Sequence, residues 1–227
     1  MVPIACFSQK GMTTVGLQYK PIFTVSVLGT DKIINDTAGV HVETDLASGF
    51  SAGMVIRHNF TDLIAFETGI NYIKRSYTLK FTEPDYEENS KFRIIGYEIP
   101  IVAMIYVQVG EKTYINGSMG PVIDLFISDI ETFGDNFHHY AFRNHTVMPA
   151  ISGNLGFEYR TTKSGIIYLG ASFQRPFEYI YVSNYGYYRN NKQVIVSNQL
   201  SGYYISVDIR YFFHPYNNKR KSSSTDD

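Results

Sequence analysis

The segment from Gly202 to Phe213 has the clearest alternation of apolar and polar residues in the chain. Alternate residues from Tyr203 to Phe213 form an apolar face, and the intervening residues include Asp208 and Arg210. A period of two is the side-chain period of a β-strand, so this pattern predicts a strand with one apolar and one polar face. Tyrosines lie towards the ends of the apolar face and aliphatic residues at its centre. This order is typical of a strand that crosses a bilayer, because amphipathic rings favour the headgroup level.

Seven earlier segments repeat the alternation, so we predict eight strands. They cover residues 14–27, 49–59, 63–77, 92–109, 112–128, 146–160, 165–177 and 202–213. The connectors alternate between long and short, and the long ones, expected to be loops, cover 28–48, 82–91, 129–145 and 178–199. Within the first of these, residues 41–45 are expected to extend a strand beyond the membrane. Short periplasmic turns and longer outer loops are typical of outer-membrane barrels. The sequence therefore predicts an all-β fold, an eight-stranded antiparallel up-and-down transmembrane β-barrel with short periplasmic turns and long outer loops.

A soluble, lipocalin-like barrel is the alternative, because periodicity alone does not say which face of a sheet meets solvent. Such a barrel would place the apolar face inside and the charged face outside. Three observations favour the membrane. The polar faces carry Gly, Ser, Asn and single charges, aromatic residues lie at strand ends, and charged residues make up only 18% of the chain.

Composition excludes several other classes of protein. The 227 residues carry a net charge of -1, which argues against a nucleic-acid-binding protein held by phosphate contacts. No run of about 18 apolar residues is present, so the sequence offers no transmembrane helix. The single cysteine leaves no internal disulfide and no Cys-based zinc site, and we expect no metal and no cofactor.

The chain divides into three parts. Residues 1–12 are expected to be a residual signal or a frayed N-terminus, 13–213 the transmembrane barrel, and 214–227 a polar, disordered tail. The first residues resemble the end of a secretory signal, with cleavage expected after Gln9 and removal of Cys6. The alternative is that Met1 is the true start and these residues form a frayed end.

Ten ionisable residues fall on the faces predicted to point into the barrel. They are Lys20, Arg57, Glu67, Arg75, Glu98, Asp124, Glu158, Arg160, Asp208 and Arg210. The interior of an eight-stranded barrel is just wide enough to be filled by side chains, and a lone buried charge is costly. We therefore interpret this balanced set as a structural salt-bridge network. The alternative is a proton or solute path lined by titratable groups.

A rim-located hydrolase is a further alternative, with His145 and Ser152 near the outer end of the sixth predicted strand. Seven residues of strand span about 23 Å, too far for a hydrogen bond between them. The adjacent His138 and His139 lie in a predicted loop, and we interpret them as solvated residues rather than metal ligands. The sequence therefore predicts no catalytic residue.

The last long connector is rich in tyrosine and asparagine, residue types common in contact surfaces. Its candidate contact residues are Tyr179, Tyr181, Tyr185, Tyr187 and Tyr188. The alternative is that these rings extend the barrel wall above the membrane.

Several motifs, by their order and spacing, resemble the PorT-like outer-membrane β-barrel family, which is common in Bacteroidota. The matching stretches are Gly16 to Pro21, Phe66 to Tyr72, Tyr97 to Ile101, Gly120-Pro121, Gly153 to Tyr159 and the closing strand. The resemblance implies an outer-membrane location, an exported precursor and an eight-stranded barrel, but little about activity. The named member belongs to a protein-secretion apparatus. This chain departs from such barrels in its polar tail, since they usually end on an aromatic residue.

These observations lead to a functional hypothesis. We expect a non-enzymatic barrel in the cell outer membrane, surrounded by outer-membrane lipid. With its lumen filled by side chains, the barrel would serve as a membrane anchor or a partner-binding subunit. It would bind protein partners through its outer loops and would bind no nucleic acid. The alternative is a narrow pore or a transport or secretion accessory.

Overall fold

The computed structural model describes residues 11–23, 33–37, 39–161, 164–189 and 192–214. Thirteen strands lie in these parts of the chain. They are β1 (Thr13–Phe23), β2 (Ile33–Thr37), β3 (Val40–Asn59), β4 (Ile64–Glu83), β5 (Tyr86–Gln108), β6 (Thr113–Phe126), β7 (Ile130–Phe133), β8 (Phe137–Arg143), β9 (Val147–Arg160), β10 (Ile166–Pro176), β11 (Tyr181–Arg189), β12 (Lys192–Leu200) and β13 (Tyr204–Phe212). Over the same residues, we find no helix with the length and apolar character needed to cross a membrane.

Eight of these strands form a ring of antiparallel neighbours. The order is β1-β13-β10-β9-β6-β5-β4-β3, and β1 also pairs with β3, so the hydrogen-bonding order returns to its start. Leu17 of β1 shows this closure, since it pairs with Tyr211 on one side and Met54 on the other. Each of the eight predicted strands has one counterpart in this ring, and three of its connections are short turns at one end.

The outer face of the ring is apolar, as the alternation predicts. Ile105, Met119 and Leu155 are each more than 60% exposed there, and their neighbours along the strands point inward. On four adjacent strands the apolar band ends in an aromatic row, which consists of Tyr19, Phe50, Tyr72 and Tyr97. Successive ring centroids in this row are 5.9, 6.0 and 6.1 Å apart. Exposed apolar residues bounded by aromatic rings fit a surface solvated by lipid rather than by water.

The prediction of long loops is wrong for the described parts of these connectors. The segment 82–91 contains the ends of β4 and β5, which meet at Pro84 and Asp85. The segment 129–145 contains β7 and β8, and 178–199 contains β11 and β12. The expected extension at 41–45 lies within β3, which begins at Val40. These connectors remain β-structured because they have an apolar face of their own to bury.

A second sheet, of order β12-β11-β8-β7, faces the extended ends of β3, β4 and β5. We call these two walls together the cap, and it comprises β2, β7, β8, β11, β12 and residues 40–48, 76–83 and 86–95. Hydrogen bonds join the walls along both sides. Asn35 Nδ2 donates to Asn198 Oδ1 at 2.6 Å, and the Asp135 amide donates to Glu88 Oε1 at 3.0 Å.

The cap encloses a dry core. Its buried residues are Val40, Val42, Leu79, Phe81, Phe137, Tyr185, Tyr187, Val194 and Val196. The Phe81 ring is stacked on Tyr187 at 5.3 Å and tilted against Phe137 at 4.9 Å. Such aromatic pairs stabilise beyond their buried area, so the cap is a packed unit rather than a set of loops.

Some predictions lie outside the described residues. The expected processing site after Gln9, residues 24–27 of the first predicted strand and the polar tail from 215 onwards belong to this group.

Candidate functional site

The interior of the ring contains all ten ionisable residues that the alternation assigns to it. Eight of them are buried, and the side chains of Lys20 and Arg160 are 12% and 13% exposed. Because burial of a charge is favourable only when it is paired and hydrogen-bonded, their contacts decide what the interior can do.

Seven of these residues form one chain of alternating charge across the interior, which we call the turn-side network. In order, it runs through Arg160, Glu158, Arg57, Glu67, Arg210, Asp208 and Lys20. Glu158 is 2.6 Å from nitrogens of both Arg160 and Arg57. Glu67 accepts from Arg57 at 3.1 Å and also from Arg210. Asp208 lies 2.6 Å from Arg210 and 3.6 Å from Lys20, which is the last member of the chain. The network connects five strands, β9, β3, β4, β13 and β1.

Neutral groups add further contacts to this network. Asp208 also accepts hydrogen bonds from Ser172 at 2.6 Å, Ser206 at 2.8 Å and Asn154 at 3.0 Å. The Arg57 guanidinium lies 3.8 Å from the ring centroid of Phe212. A buried ion pair repays its desolvation only with such additional contacts, so these neutral residues are part of the network's stability.

A second group, the cap-side group, contains Arg75, Glu98 and Asp124. Glu98 and Asp124 are paired directly across β5 and β6, and Arg75 Nη2 is 3.9 Å from Glu98 Oε1. Glu98 accepts from Ser51 at 2.9 Å and Tyr204 at 2.5 Å. Asp124 accepts two contacts from the Gln174 amide, at 2.9 and 3.1 Å.

An apolar cluster, the plug, combines residues of the ring with residues of the cap. It contains Ile22, Leu46, Ile73, Tyr77, Phe92, Ile94, Phe126, Ala141, Met148, Ile180, Tyr181, Leu200 and Tyr204. These residues come from both sheets, so they close the interior at its cap end. The described interior therefore contains both buried ion pairs and buried apolar residues, and the apolar cluster reaches the cap.

Sequence reasoning missed the neutral partners, including Ser51, Ser172, Gln174, Tyr204 and Ser206. All five lie on the inward faces of their strands and are buried. The period-two pattern identifies the face on which each lies, but it does not distinguish a residue that binds a carboxylate from one that fills space.

The structure places three of the five candidate contact tyrosines inside the cap. Tyr181, Tyr185 and Tyr187 are buried, so their rings are not accessible to a partner. Tyr188 is 49% exposed and Tyr179 is half-buried. For the three buried rings the structure agrees with the alternative, in which they extend the wall. A contact role stays a prediction for Tyr179 and Tyr188.

The interpretation of both histidines as solvated is wrong for His139. Its ring is buried between Phe92 and Tyr185, with centroids 4.5 and 4.8 Å away, and its Nε2 is 2.7 Å from Ser183 Oγ. Burial, with a smaller contribution from the neighbouring His138, lowers the pKa of His139 to about 4. His138 points the opposite way and lies 2.7 Å from Glu131. The reason is strand geometry, since adjacent residues of β8 face opposite sides.

We expect acidification to weaken the cap through His139. An unfolded histidine has a pKa of about 6.5. Because the pKa of His139 is lower in the folded protein than in the unfolded chain, its neutral ring contributes fully to stability above about pH 6.5. This contribution is lost as the pH falls towards 4. The loss over this window is about 3 kcal/mol. Amide hydrogen exchange of β8 and β11, compared at pH 7 and 4.5, measures it.

The matched variants for this test are His139→Gln and His138→Gln. His139→Gln should remove most of the pH dependence of exchange, and His138→Gln should keep it. Equal pH dependence of exchange in wild type and His139→Gln would contradict the role of His139 in weakening the cap. The effect would then come from carboxylates.

The outer walls of the cap differ in chemistry. The wall made by β3, β4 and β5 carries charged residues on its outer face, including Glu43, Lys80, Glu87 and Lys91. The outer face of β7, β8, β11 and β12 carries exposed Phe133, Tyr140, Phe142, Tyr188 and Ile195. Depletion of charge with enrichment of aromatic residues is the composition of a contact surface.

The two residues considered for hydrolysis have separate surroundings. His145 Nε2 is 3.3 Å from Glu178 in an exposed ion pair. Ser152 lies in β9, paired with Gly120 and Gln174. Among the residues that the structure describes, no group of three or more His, Cys, Asp or Glu side chains is arranged to hold a metal ion.

Comparison with solved structures finds outer-membrane proteins. The chain is similar to the outer membrane protein OprG from Pseudomonas aeruginosa, with a TM-score of 0.53 and 12% identity over 90% of this chain and 97% of that chain. The outer membrane protease OmpT from Escherichia coli gives a TM-score of 0.34 and 9% identity, over 88% of this chain and 93% of that chain. The translocator domain of the autotransporter NalP from Neisseria meningitidis gives a TM-score of 0.33 and 10% identity, over 90% of this chain and 88% of that chain. No protein-family model and no curated protein matches the sequence. At this identity the likeness to OprG shows the fold alone, which is similar to that of outer-membrane β-barrel proteins.

Proposed function

We propose that this chain is an eight-stranded transmembrane β-barrel of the outer membrane. Its filled interior makes it an anchor that holds the cap outside the cell for binding to a protein partner. The single observation that carries the proposal is the set of buried ion pairs and buried apolar residues inside the ring, in the turn-side network, the cap-side group and the plug. The protein acts without catalysis.

The energetics of the interior favour an anchor over a conductor. A solute that crossed the ring would have to separate charges that lie 2.6 Å apart and are almost fully buried, such as Arg57 and Glu158. Uncovering one member of a buried pair costs about 3–5 kcal/mol, and several pairs lie in series. The plug adds an apolar barrier at the cap end, where polar solutes would lose their hydration.

The cap supplies the binding role in this proposal. Its wall of β7, β8, β11 and β12 presents aromatic side chains such as Tyr140 and Tyr188 on a face with few charges, which supports contact with a protein partner. The absence of catalysis stays a prediction from the sequence. Membership of the PorT-like family, and with it an origin in Bacteroidota, stays a prediction from the sequence motifs.

Conductance across a planar lipid bilayer tests the filled interior. The purified protein, inserted at a density sufficient to detect a single small pore, is expected to give no steady single-channel current. The reason is that no continuous aqueous path crosses the network and the plug. Heat-dependent mobility of the same sample on an SDS gel verifies that it is folded and inserted. Discrete current steps from verified, folded protein would overturn the anchor and favour a narrow pore.

A further inference from the structure

The outer face of β4 and β5 carries basic residues directly beyond the aromatic row. Tyr72 pairs with Tyr97 in that row. Towards the cap, the next outward-facing pairs are Lys74 with Ile95, Ser76 with Arg93 and Thr78 with Lys91. Successive outward residues on a strand are about 6.7 Å apart. Along the strands, Lys74 and Arg93 therefore lie about 7 and 13 Å beyond the Tyr72–Tyr97 pair, the position expected of lipid headgroups.

Charge on this wall is graded with distance from the row. The outward residues at the level of Lys74 and Arg93 on β3 are Phe50 and Ser48, which are uncharged. Acidic residues begin farther out, with Asp45 at the level of Lys91 and then Glu43 and Glu87 at the next two levels. The wall is thus positive next to the apolar band and mixed in sign only beyond it.

Basic groups elsewhere near this height have partners within the protein. Arg143 is 3.6 Å from Asp129, and His145 is 3.3 Å from Glu178. Arg175 lies over the ring of Tyr203, at 5.2 Å from its centroid.

On the β4–β5 wall, Lys80 is 3.1 Å from Glu87, four levels beyond the row. Over the described residues, Lys74, Lys91 and Arg93 form no ion pair with an acidic group, and Arg93 and Lys91 are exposed. Their charge is therefore available to an external anion.

We propose that Lys74 and Arg93, supported by Lys91, bind the phosphate of a lipid headgroup in the outer leaflet. The proposal rests on the membrane orientation in the proposed function, because that orientation sets these residues at headgroup depth. The occupant is a lipid rather than free phosphate because the apolar wall continues directly below, with exposed Ile70, Tyr97 and Ile101 to pack against its acyl chains. Each basic side chain at a membrane surface attracts anionic lipid, so two together favour a phosphorylated headgroup over an uncharged one.

Native mass spectrometry of the full chain in dodecyl maltoside tests this site. The probes are diphosphoryl lipid A, the same lipid with both phosphates removed, and inorganic phosphate. Wild type should bind the phosphorylated lipid about tenfold more tightly than the dephosphorylated lipid. The variant Lys74→Gln with Arg93→Gln should lose this preference while it binds the dephosphorylated lipid as wild type does. The matched control Lys80→Gln removes a charge that is paired with Glu87 and should keep the preference.

Three results would overturn the site. They are equal binding of the two lipids by wild type, an unchanged preference in the double variant, and competition by millimolar inorganic phosphate that abolishes the preference. Failure of the proposed function is separately visible, since a protein that stays soluble without detergent and binds neither lipid has no lipid-facing wall. If the protein binds the dephosphorylated lipid but shows no preference for phosphate, the proposed phosphate site is wrong and the membrane orientation is not affected.

Discussion

Glu67→Gln is expected to lower the free energy of unfolding by about 3–5 kcal/mol. Glu67 is buried between two guanidinium groups, and it accepts from Arg57 at 3.1 Å and from Arg210. Removal of its charge breaks the turn-side network at its centre and leaves four cations, Arg160, Arg57, Arg210 and Lys20, with only two carboxylates. Glutamine keeps the shape of the side chain, so the loss reports charge rather than a cavity. Urea unfolding of the protein inserted in lipid vesicles measures it.

The surface carboxylate Glu87 is the matched control for this prediction. It pairs with Lys80 at 3.1 Å, and both side chains are exposed by more than a third. Glu87→Gln should therefore cost less than about 1 kcal/mol. The double variant Glu67→Gln with Arg210→Gln should cost less than the sum of its single variants, because it removes a cation along with its partner. A loss at Glu67 no larger than that at Glu87 would show that the network is not structural.

Ile209→Arg is expected to destabilise the protein in vesicles by about 2–4 kcal/mol. Ile209 lies near the middle of β13, is 50% exposed, and pairs with Tyr19 and Leu169 on the neighbouring strands. If hydrocarbon surrounds this face, an arginine there must lose its hydration or distort the bilayer. The same unfolding assay in vesicles gives the difference from wild type.

Ser197→Arg provides the control, because Ser197 is an exposed strand residue on the outer face of the cap. Substitution there should change the free energy of unfolding by less than about 0.5 kcal/mol. If arginine is tolerated equally well at both positions, water rather than lipid surrounds Ile209, and the membrane assignment fails.

The ring could be predicted from sequence because its signal is local. Each strand alternates along its own length, so the outward side of Leu155 or Ile209 follows from its immediate neighbours. The inward orientation of the ten ionisable residues follows from the same alternation along each strand. Their pairing does not, because Arg210 and Glu67 are 143 positions apart and meet only through strand order and rotamer choice.

The cap was missed because its buried face is partly polar. His139, Ser183 and Tyr185 alternate inward, yet the pattern of apolar residues does not count such side chains as core. At the β4–β5 tip the acidic residues Glu83 and Glu88 hide the alternation, although each has a partner across the cap. Glu83 is 2.7 Å from Arg189, and Glu88 accepts from the amide of Asp135. Hydrogen-bonded polar residues can line a buried face, and only the fold shows where they do.

The cap is assembled from pieces that leave the ring at four separate points in the chain. Its dry core joins Val40, Phe81, Phe137 and Tyr185, which belong to four different connectors. Under the orientation proposed above, every one of these pieces must be translocated as extended chain before any of them can pack. Until these four pieces pack together, the aromatic core of the cap is then exposed to water on the cell surface, where an external protease has access to it.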